Sequence, residues 1–545
     1  MANFSKWFYR GEGNKTLVIS NPETRQVLRL QKSKVTTKDQ PNYTQNVSQK
    51  ESESLQQEIE KSIELCKQVF IPLLGEKYVE PGCIVELSEE FMISIKDLVT
   101  SANKERPKIR LSKEVNQQSK FGVSMPDFCF VSGVYANEVE GKTVPPTFCI
   151  EIKPKYGTLP ACAGLEKSLY RNVKESLCKY CLFQWTKVNK EGKYPQRSGY
   201  CPLDLFSSDI RRVWHALICL LKNPQNNFRI FQEGKLVYSG ETMSPSYYGQ
   251  MENGNIADKI PSNTGANEHQ SHLSPLEEAL SHSFASHHSD TLTNYNLYSE
   301  IDGANLSSTT MLLATLLQLL IHDSNESSIN HHHHVDHHSS NHPVCEASQY
   351  NEANYSTDIP TWLMSKGLAF GQDGVLRKIL DVQKLDKIGT DNAFSSFNTL
   401  CANGHKELID LHILTFNQNT VKCSINASNN AKTNDNCDRT QTSANCDENG
   451  SVYTNDLSIA SELDSLTKFL IAASANDCSI MISFQEVLNG SPKDLSCFED
   501  VLTGKVYKYS IAIVDLDEKD SDRIPKYYKE YHDIVDNYLQ LNLEI

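Results

Sequence analysis

Long apolar runs are missing from this sequence. No stretch of ~18 uncharged apolar residues occurs, which is the length needed to cross a bilayer. The N-terminal sequence MANFSKWFYRGEGNK also contains no apolar run of signal-peptide length. The longest apolar segment, residues 311–321, is too short to cross a membrane and predicts a buried helix. We therefore expect neither a membrane span nor a secretion signal.

Positive charge is also in short supply. The 545 residues contain 53 Lys and Arg against 68 Asp and Glu, a formal net charge of −15. Affinity for nucleic acid comes largely from cations that neutralise phosphates, so we expect no general nucleic-acid binding. A locally basic pocket can still concentrate an anionic ligand against an acidic background.

The cysteines lack the context that disulfides require. Sixteen cysteines occur without a secretion signal, which predicts free thiols in a reducing compartment. We expect a cytosolic or nuclear protein.

Patterned segments alternate with polar ones along the chain. A β-hairpin is predicted over residues 7–32. Strands 123–131 and 147–152 are expected to pair, and a helix is expected over 168–187. We expect two disordered insertions, residues 240–358, which are rich in Asn, Ser and His, and residues 417–456. The apolar helix at 311–321 is the expected exception within the first. Other predicted elements are helices at 59–70, 209–221, 374–380, 463–473 and the C-terminus, and strands at 479–484 and 507–514.

A Gly-rich stretch, Arg10-Gly11-Glu12-Gly13-Asn14, lies between the first two predicted strands. Glycines in such a turn let backbone N–H groups approach phosphates, as in the loop that covers ATP in protein kinases. A cation on a following strand, Arg29, is where a kinase-like site needs positive charge. An ordinary hairpin turn with a solvent-facing Arg29 is the alternative interpretation.

Two aspartates flank predicted strands near the C-terminus. Asp477 precedes the strand in DCSIMISF, and Asp515 ends the strand in YSIAIVDLD. In kinase-like chemistry one carboxylate takes the proton of the attacking hydroxyl, while another at a strand end holds Mg²⁺. Aspartate at a strand end is also a common turn residue, so each alone is weak evidence.

Basic residues recur at spacings that place them on one face. Lys153 and Lys155 project from the same side of a predicted strand, which is favourable only beside an anion or water. Lys519, Arg523 and Tyr527 recur every four residues and would share a helix face. That face could hold a polyphosphorylated ligand, or it could simply be solvated.

Together these residues resemble the inositol-pentakisphosphate 2-kinase family. The similarity runs in order from residue 7 to about residue 538, apart from the two expected insertions. The segments EIKPK and NDCSIMISF are highly specific, and others support them. The matching stretches are WFYRGEGNKTLVIS, VLRLQK, FIPLLGEKYVEPG, RPKIR, EIKPKYGTLP, CPLDLFS, NPQNNFRIF, GVLRKILDVQKLDK, FLIAASANDCSIMISF and IAIVDLDEKDSDRIPKYYK.

The resemblance implies ATP-dependent phosphorylation of the 2-hydroxyl of inositol 1,3,4,5,6-pentakisphosphate to give inositol hexakisphosphate (phytate). The implied fold is a two-lobed α+β kinase-like fold, distantly similar to protein kinases and inositol phosphate kinases. Residues 1–130 would form the N-lobe, a β-sheet plus helix with the Gly-rich loop and hinge. Residues 131–545 would form the larger C-lobe, interrupted by both insertions.

The resemblance also implies roles for individual residues. Asp477 would be the catalytic base and Asp515 the Mg²⁺ ligand. The residues implied to bind ATP are Gly11, Glu12, Gly13, Asn14, Arg29, Met125 and Asp127. Those implied to bind the inositol phosphate are Arg110, Lys153, Lys155, Lys187, Asn226, Arg229, Lys519, Arg523 and Tyr527.

This chain departs from the family pattern in places. Lys34 stands where an Arg can contact the substrate, which loses the bidentate fork, and Ile109 stands where plant members have a stacking Trp. Plant members carry a Cys/His zinc site in the region matching 395–415. Only Cys401, His405 and His412 are available there, so structural Zn²⁺ is only weakly supported.

Two other functions fit the same residues. One is an inositol phosphate kinase of other regiospecificity, and the other is a non-catalytic pseudokinase scaffold that binds inositol phosphates. The presence of both carboxylates with the basic residues argues against the second. The expected partner is the small-molecule substrate, with no nucleic acid, no membrane and no oligomer.

Overall fold

The computed structural model contains two six-stranded antiparallel sheets with helices packed against each, and a short separate strand pair. It describes residues 6–34, 45–104, 106–116, 119–132, 144–240, 308–326, 345–346, 373–416, 445–446, 452–453, 457–487, 497–501 and 504–543. The chain is thus a mixed α+β protein, as expected. Most of the expected insertions at 240–358 and 417–456 lie outside the described residues.

The N-terminal sheet has six strands, all antiparallel. Its order is β1-β2-β3-β6-β4, and β5 pairs with the far end of β3. These strands are β1 (Phe8–Glu12), β2 (Thr16–Asn21), β3 (Gln26–Lys34), β4 (Cys83–Glu86), β5 (Lys113–Val115) and β6 (Phe121–Pro126). The predicted hairpin is therefore three strands, and the Gly-rich stretch begins within β1.

One face of this sheet packs against a helix. Leu17 and Leu30 are register partners that pack under α3 (Glu89–Ser101). Their neighbours Val18 and Arg29 are also register partners. Because side chains alternate along a strand, Arg29 lies on the face opposite α3. Two further helices follow β3: α1 (Gln45–Leu65) and α2 (Ile71–Leu74). Pro72 lies in the first turn of α2, where it is tolerated.

The C-terminal sheet also has six antiparallel strands, in the order β13-β14-β12-β7-β8-β9. These strands are β7 (Thr147–Ile152), β8 (Phe228–Gln232), β9 (Lys235–Ser239), β12 (Ser479–Glu486), β13 (Cys497–Glu499) and β14 (Val506–Val514). A short separate pair comprises β10 (Asn445–Cys446) and β11 (Val452–Tyr453).

Helices cover one face of the C-terminal sheet. Ile150, Ile230 and Ile482 are fully buried against them. The intervening positions Glu151, Arg229 and Met481 are register partners on the opposite face. The helices are α4 (Leu169–Ser176), α5 (Lys179–Trp185), α6 (Pro202–Leu205), α7 (Ile210–Lys222), α8 (Ser308–Glu326), α9 (Val375–Gln383), α10 (Gly389–Ala402), α11 (Lys406–Leu414), α12 (Leu457–Ala475) and α13 (Ile524–Leu543).

The apolar segment predicted as a buried helix is α8. Every residue from 311 to 321 is buried. Two buried carboxylates tie α8 to its neighbours: Asp323 near its end accepts a hydrogen bond from Tyr78, and Asp500 accepts from Thr315 and Gln318 in its middle. This helix is therefore part of the main hydrophobic core. Among the residues that the structure describes, no helix is long and apolar enough to cross a membrane.

Three predictions are wrong. Lys519, Arg523 and Tyr527 do not share one helix face, because Lys519 precedes a 3₁₀ turn at Ser521–Arg523 and α13 begins only at Ile524. Strands 123–131 and 147–152 do not pair, because β6 lies in the N-terminal sheet and β7 in the C-terminal one. The helix expected over 168–187 is broken, because Leu177 is extended and Cys178 caps the start of α5.

Candidate functional site

The EIKPK segment leaves the C-terminal sheet as a tightly held turn. Lys155 has φ +61°, a left-handed conformation that is unfavourable for residues other than glycine. Tyr200 Oη donates to the Pro154 carbonyl at 2.7 Å. At Gly157 a Cβ would lie 2.5 Å from the ring of Phe206, so only glycine fits. The turn therefore presents Lys155 away from the strand.

Asp477 lies between two lysines. Lys155 Nζ is 3.1 Å from its Oδ1, and Lys519 Nζ is 3.2 Å from its Oδ2. Burial by itself would raise the pKa of Asp477, but the charges and hydrogen bonds of the two lysines lower it to about 2. The carboxylate remains open, with 59% of the side chain exposed. Asp477 is thus an ionised, accessible carboxylate with a cation on each oxygen.

Asp515 follows β14 and carries a second strained backbone, with φ +62°. Its Oδ2 accepts from Lys153 Nζ and from Ser479 Oγ, both at 3.2 Å. Burial raises the pKa of Asp515, while the charges of Lys153 and Arg29 outweigh this and lower it. Strained residues of this kind concentrate at functional sites. Both predicted carboxylates therefore lie at neighbouring ends of the C-terminal sheet.

A cavity of about 350 Å³ opens beside Asp477. It brings together six residues of the predicted site: Lys155, Lys187, Asp477, Lys519, Arg523 and Tyr527. Burial, followed by the charges of Lys155 and Lys193, lowers the pKa of Lys187 to about 8. Like charges are therefore crowded and partly buried at this cavity, which is unfavourable unless an anion or solvent offsets them.

Lys179 is a cation of this cavity that the sequence interpretation missed. It is 7% exposed and lies 5.2–5.8 Å from the ring centroids of Tyr156, Phe183, Tyr527 and Tyr531. No hydrogen bond or ion pair of its Nζ is seen within the described residues. Its position, one residue after the cap of α5, could not be distinguished from a solvated helix start by spacing alone.

Arg229 and Asn226 lie outside this cavity. Arg229 Nη1 is 3.3 Å from Glu151 Oε2 on the face of the C-terminal sheet opposite the helices, beside Lys153. Asn226 is exposed, between Gln225, whose φ is +46°, and Asn227. Asn227 Nδ2 donates to the Lys153 carbonyl at 3.0 Å.

The Gly-rich stretch is fixed by ion pairs at its base. The buried carboxylate of Glu12 accepts from Lys32 and from Arg106, the latter at 2.6 Å. At the tip, Asn14 Oδ1 accepts from Lys113 at 3.1 Å and from Arg110 at 3.4 Å. The Glu12 carboxylate is therefore already paired with two cations of the protein. The backbone of Gly11, Gly13 and Asn14 is the part of this stretch that could approach phosphates.

Two other residues predicted to bind nucleotide are tied to neighbours. Arg29 Nη2 lies 3.3 Å from Asp517 Oδ1. Asp127, which is buried, forms an ion pair with Arg10 and follows Met125 at the end of β6. The Asp127 side chain is thus engaged by Arg10 of the same chain. The chain that follows β6 connects the N-terminal sheet to the C-terminal sheet.

A larger cleft of about 1540 Å³ lies between β1, α3 and the β8–β9 hairpin. Gly11, Glu12 and Arg229 contribute to its wall, but neither Asp477 nor Asp515 does. Asp477 lines the smaller, cation-rich cavity, whereas Asp515 lines neither cavity. The smaller cavity is therefore the candidate site on the evidence of Asp477 alone.

Four buried cysteines form a candidate metal centre. The Sγ atoms of Cys178, Cys181, Cys201 and Cys345 all lie within 4.8 Å of one another, and those of Cys178 and Cys201 are 3.9 Å apart. Tetrahedral zinc with ligands at about 2.3 Å requires sulfur separations of about 3.8 Å. Hydrogen bonds from the other three thiols lower the pKa of Cys345, which favours a thiolate. This donor set fits a closed structural zinc site.

The weakly supported zinc site at 395–415 receives no support. Within the described residues, Cys401, His405 and His412 do not form a ligand group, and His412 Nδ1 instead contacts Thr467 Oγ1 at 2.9 Å. The Cys178-Lys179-Tyr180-Cys181 spacing was the available sequence signal. Cys201 and Cys345 could not be assigned to it, because only the fold brings them together.

Comparison with known proteins identifies the class. A family model described as Inositol-pentakisphosphate 2-kinase matches residues 9–532. An inositol-pentakisphosphate 2-kinase of Danio rerio is 28% identical over 98% of this chain and 93% of its own length. One of Arabidopsis thaliana is 30% identical over 43% of this chain and 54% of its own length.

These matches show that the protein is a kinase. The chain belongs to the inositol-pentakisphosphate 2-kinase family, which confirms the resemblance drawn from its motifs.

Proposed function

We propose that this kinase transfers the γ-phosphoryl group of ATP to the 2-hydroxyl of inositol 1,3,4,5,6-pentakisphosphate, forming inositol hexakisphosphate. The observation that carries the proposal is the Asp477 carboxylate, which is held between Lys155 and Lys519 at the edge of a cavity lined by Lys and Arg side chains. Family membership supports the same reaction, because the relatives are named for it.

The proposal includes a two-lobed, kinase-like architecture. Residues 1–130 form the N-lobe and residues 131–545 the C-lobe. The separate sheets support this division, as does the strand order β1-β2-β3-β6-β4 with a crossing segment after β6. The C-lobe would place substrate and metal sites on the polar edge of its sheet.

Repulsion between the phosphates of the acceptor and those of ATP is the main electrostatic cost of forming the reacting complex. Five phosphates carry roughly −1.5 to −2 each near neutral pH, so the acceptor brings roughly eight to ten negative charges beside ATP. The substrate-binding role of Lys155, Lys187, Lys519, Arg523 and Tyr527 is supported by their shared cavity, and Lys179 joins them. Lys153, Arg229, Asn226 and Arg110 are proposed contacts from the surrounding surface.

Asp477 would act as the base. With a pKa of about 2 it is ionised at neutral pH, as a base must be. Its lysine partners are also the proposed phosphate contacts. When substrate phosphates bind Lys155 and Lys519, the carboxylate loses cationic support, so its proton affinity rises. Asp477 then accepts a hydrogen bond from the 2-hydroxyl and takes its proton.

ATP would lie between the sheets. Gly11, Gly13 and Asn14 would cover the phosphates, Arg29 would pair with them, and the Met125–Asp127 segment would hold the adenine. The oxygen-rich surroundings of Asp515 suit Mg²⁺. Bound there, Mg²⁺ would neutralise charge between nucleotide phosphates. Lys153 orients the Asp515 carboxylate through their 3.2 Å contact.

The proposal extends to a structural metal and to the state of the protein in the cell. Zinc at Cys178, Cys181, Cys201 and Cys345 would stabilise the start of α5 as a closed structural site. The protein is proposed to be a monomer of the cytosol or nucleus that needs neither nucleic acid nor membrane.

The test is product analysis by NMR with ATP, Mg²⁺ and inositol pentakisphosphate. Hexakisphosphate phosphorylated at the axial 2-position is expected. Binding without turnover would favour the scaffold function instead, and another product isomer would favour a kinase of other regiospecificity. Asp477→Ala is expected to abolish turnover, and a fully active variant would overturn only the assignment of the base.

A further inference from the structure

The buried amide of Gln383 connects the two turns that form the Asp477–Lys155 pair. Gln383 is the last residue of α9 and is 2% exposed. Its Oε1 accepts from Gly157 N at 2.8 Å, and its Nε2 donates to the Lys155 carbonyl at 2.7 Å. The same Nε2 lies 3.4 Å from the Ala475 carbonyl. One side chain thus binds backbone groups of both turns.

The first of these turns carries Lys155. Its left-handed φ of +61° is sparsely populated and persists only where neighbours impose it. Gln383 holds the carbonyl of Lys155 itself and the amide two residues later. The ring of Phe206 fills the space beside Gly157. The turn is therefore held by the Phe206 ring and by the Gln383 amide.

The second turn carries Asp477. Ala475 is the last residue of α12, and Asp477 N donates to the Ser474 carbonyl at 3.0 Å just beyond it. The Gln383 contact with Ala475 anchors this helix end against the Lys155 turn. The separation of the two turns sets the 3.1 Å contact between Lys155 Nζ and Asp477 Oδ1.

We propose that Gln383 is a positioning residue, which sets the geometry of Asp477 and Lys155 by binding both turns at once. The expected effect of Gln383 on turnover rests on the proposed function, whereas its expected effect on the distance between Lys155 and Asp477 does not. An amide is suited to this role because it accepts and donates together. A reacting group displaced by about 1 Å can lose on the order of a hundredfold in rate.

Gln485 offers a matched control. It is also buried, at 6% exposure, and its Nε2 donates to the Pro145 carbonyl at 2.6 Å. It lies on β12 opposite Thr147, at the other end of the strand from Asp477. Replacing it removes one buried side-chain-to-backbone hydrogen bond, against three for Gln383, without touching either turn.

The experiment compares Gln383→Met and Gln485→Met with wild type. For Gln383→Met, we expect kcat per folded enzyme to fall roughly 10–100-fold, with KM for ATP within about twofold. For Gln485→Met, both constants should stay within about twofold, whatever its loss of Tm. In crystal structures of the unliganded variants, Lys155 Nζ and Asp477 Oδ1 should move beyond hydrogen-bonding distance only in Gln383→Met.

The outcomes separate the two proposals. A Gln383→Met crystal structure in which Lys155 still pairs with Asp477, or a kcat equal to that of the control, overturns the positioning role. An inactive wild type would overturn the proposed function, while the crystal structures still decide the geometry. If Gln383→Met does not fold, Gln383→Asn replaces it. Its amide is one methylene too short to reach both turns, so the same results are expected.

Discussion

Arg29 and Asp517 form an ion pair between the two sheets, with Arg29 Nη2 3.3 Å from Asp517 Oδ1. Arg29 projects from β3 on the face opposite α3, and Asp517 lies two residues beyond Asp515. The cation proposed to hold nucleotide phosphates is therefore paired with a carboxylate beside the proposed metal ligand. Nucleotide phosphates would compete with Asp517 for Arg29.

We expect Asp517→Asn to lower KM for ATP by up to about fivefold. The side chain of Asp517 is 55% exposed, and an exposed ion pair contributes about 0–1 kcal/mol, so releasing Arg29 can improve nucleotide binding by no more than that. Steady-state kinetics with varied ATP measure the effect.

Glu518→Gln is the control for that variant. Glu518 pairs with Lys61 of α1 at 2.8 Å rather than with Arg29, so KM for ATP should not change. A raised KM in Asp517→Asn would contradict the competition and would indicate that Asp517 assists nucleotide or metal binding.

The strands that flank Asp477 and Asp515 could be predicted because each is indicated by the residue pattern of its own short segment. Residues 479–484 and 507–514 are dense apolar runs, and both form strands, β12 and β14. An aspartate at such a boundary is visible in sequence. The left-handed backbone of Asp515 is not visible, because it depends on contacts with distant residues.

The pairing of strands and the assembly of the metal centre could not be predicted in the same way. Alternating apolar residues identify β6 and β7 but not their partners, and the chain crosses between sheets after Pro126. Cys201 and Cys345 join the Cys178–Cys181 pair only through folding. Lys179 and Gln383 likewise gain their roles from the packing around them.

Asp477→Asn tests the base directly. The amide keeps the shape but cannot take a proton, and loss of a general base costs typically 10²–10⁴-fold. We expect kcat to fall by roughly that factor while KM for ATP stays within a few fold, as measured by hexakisphosphate formation.

Asp464→Asn is its matched control. Asp464 lies on α12, where its carboxylate forms a partly exposed pair with Lys468 at 2.7 Å. The same change there should leave kcat within about twofold. Activity of Asp477→Asn within about tenfold of wild type would rule out a base role for Asp477.

The four-cysteine cluster is expected to bind one zinc ion per chain. Cys178→Ser should lose it and lower Tm, because a structural zinc site contributes directly to folding. Metal content by mass spectrometry and thermal unfolding measure the two effects.

Cys219→Ser serves as the control, since Cys219 is equally buried but lies beside His215, 3.4 Å from its Nε2. It should retain the metal. Zinc-free wild type, or zinc retained in Cys178→Ser, would contradict the assignment.

Lys187 should give the kinase an alkaline limit. Its pKa of about 8 lies below that of an ordinary lysine, chiefly because of burial. The side chain is therefore charged below pH 8 and progressively neutral above it in the free enzyme. Because the neutral amine cannot attract phosphate, kcat/KM for inositol pentakisphosphate should fall as pH rises through about 8. One unit above the pKa, only about a tenth of the enzyme keeps the charge, so the loss should approach tenfold.

Lys187→Arg separates this effect from other titrations. Arginine stays charged throughout the range, so the ratio of variant to wild-type kcat/KM should rise as pH increases through about 8, whatever the variant's absolute activity. The measurement is the ratio of the two pH profiles, which cancels changes in the substrate's own ionisation because both enzymes receive the same substrate. If both profiles fall together above pH 8, another group sets the limit. A variant-to-wild-type ratio that rises about tenfold between pH 8 and 9.5 would identify Lys187 as a phosphate contact whose charge, rather than shape, is required.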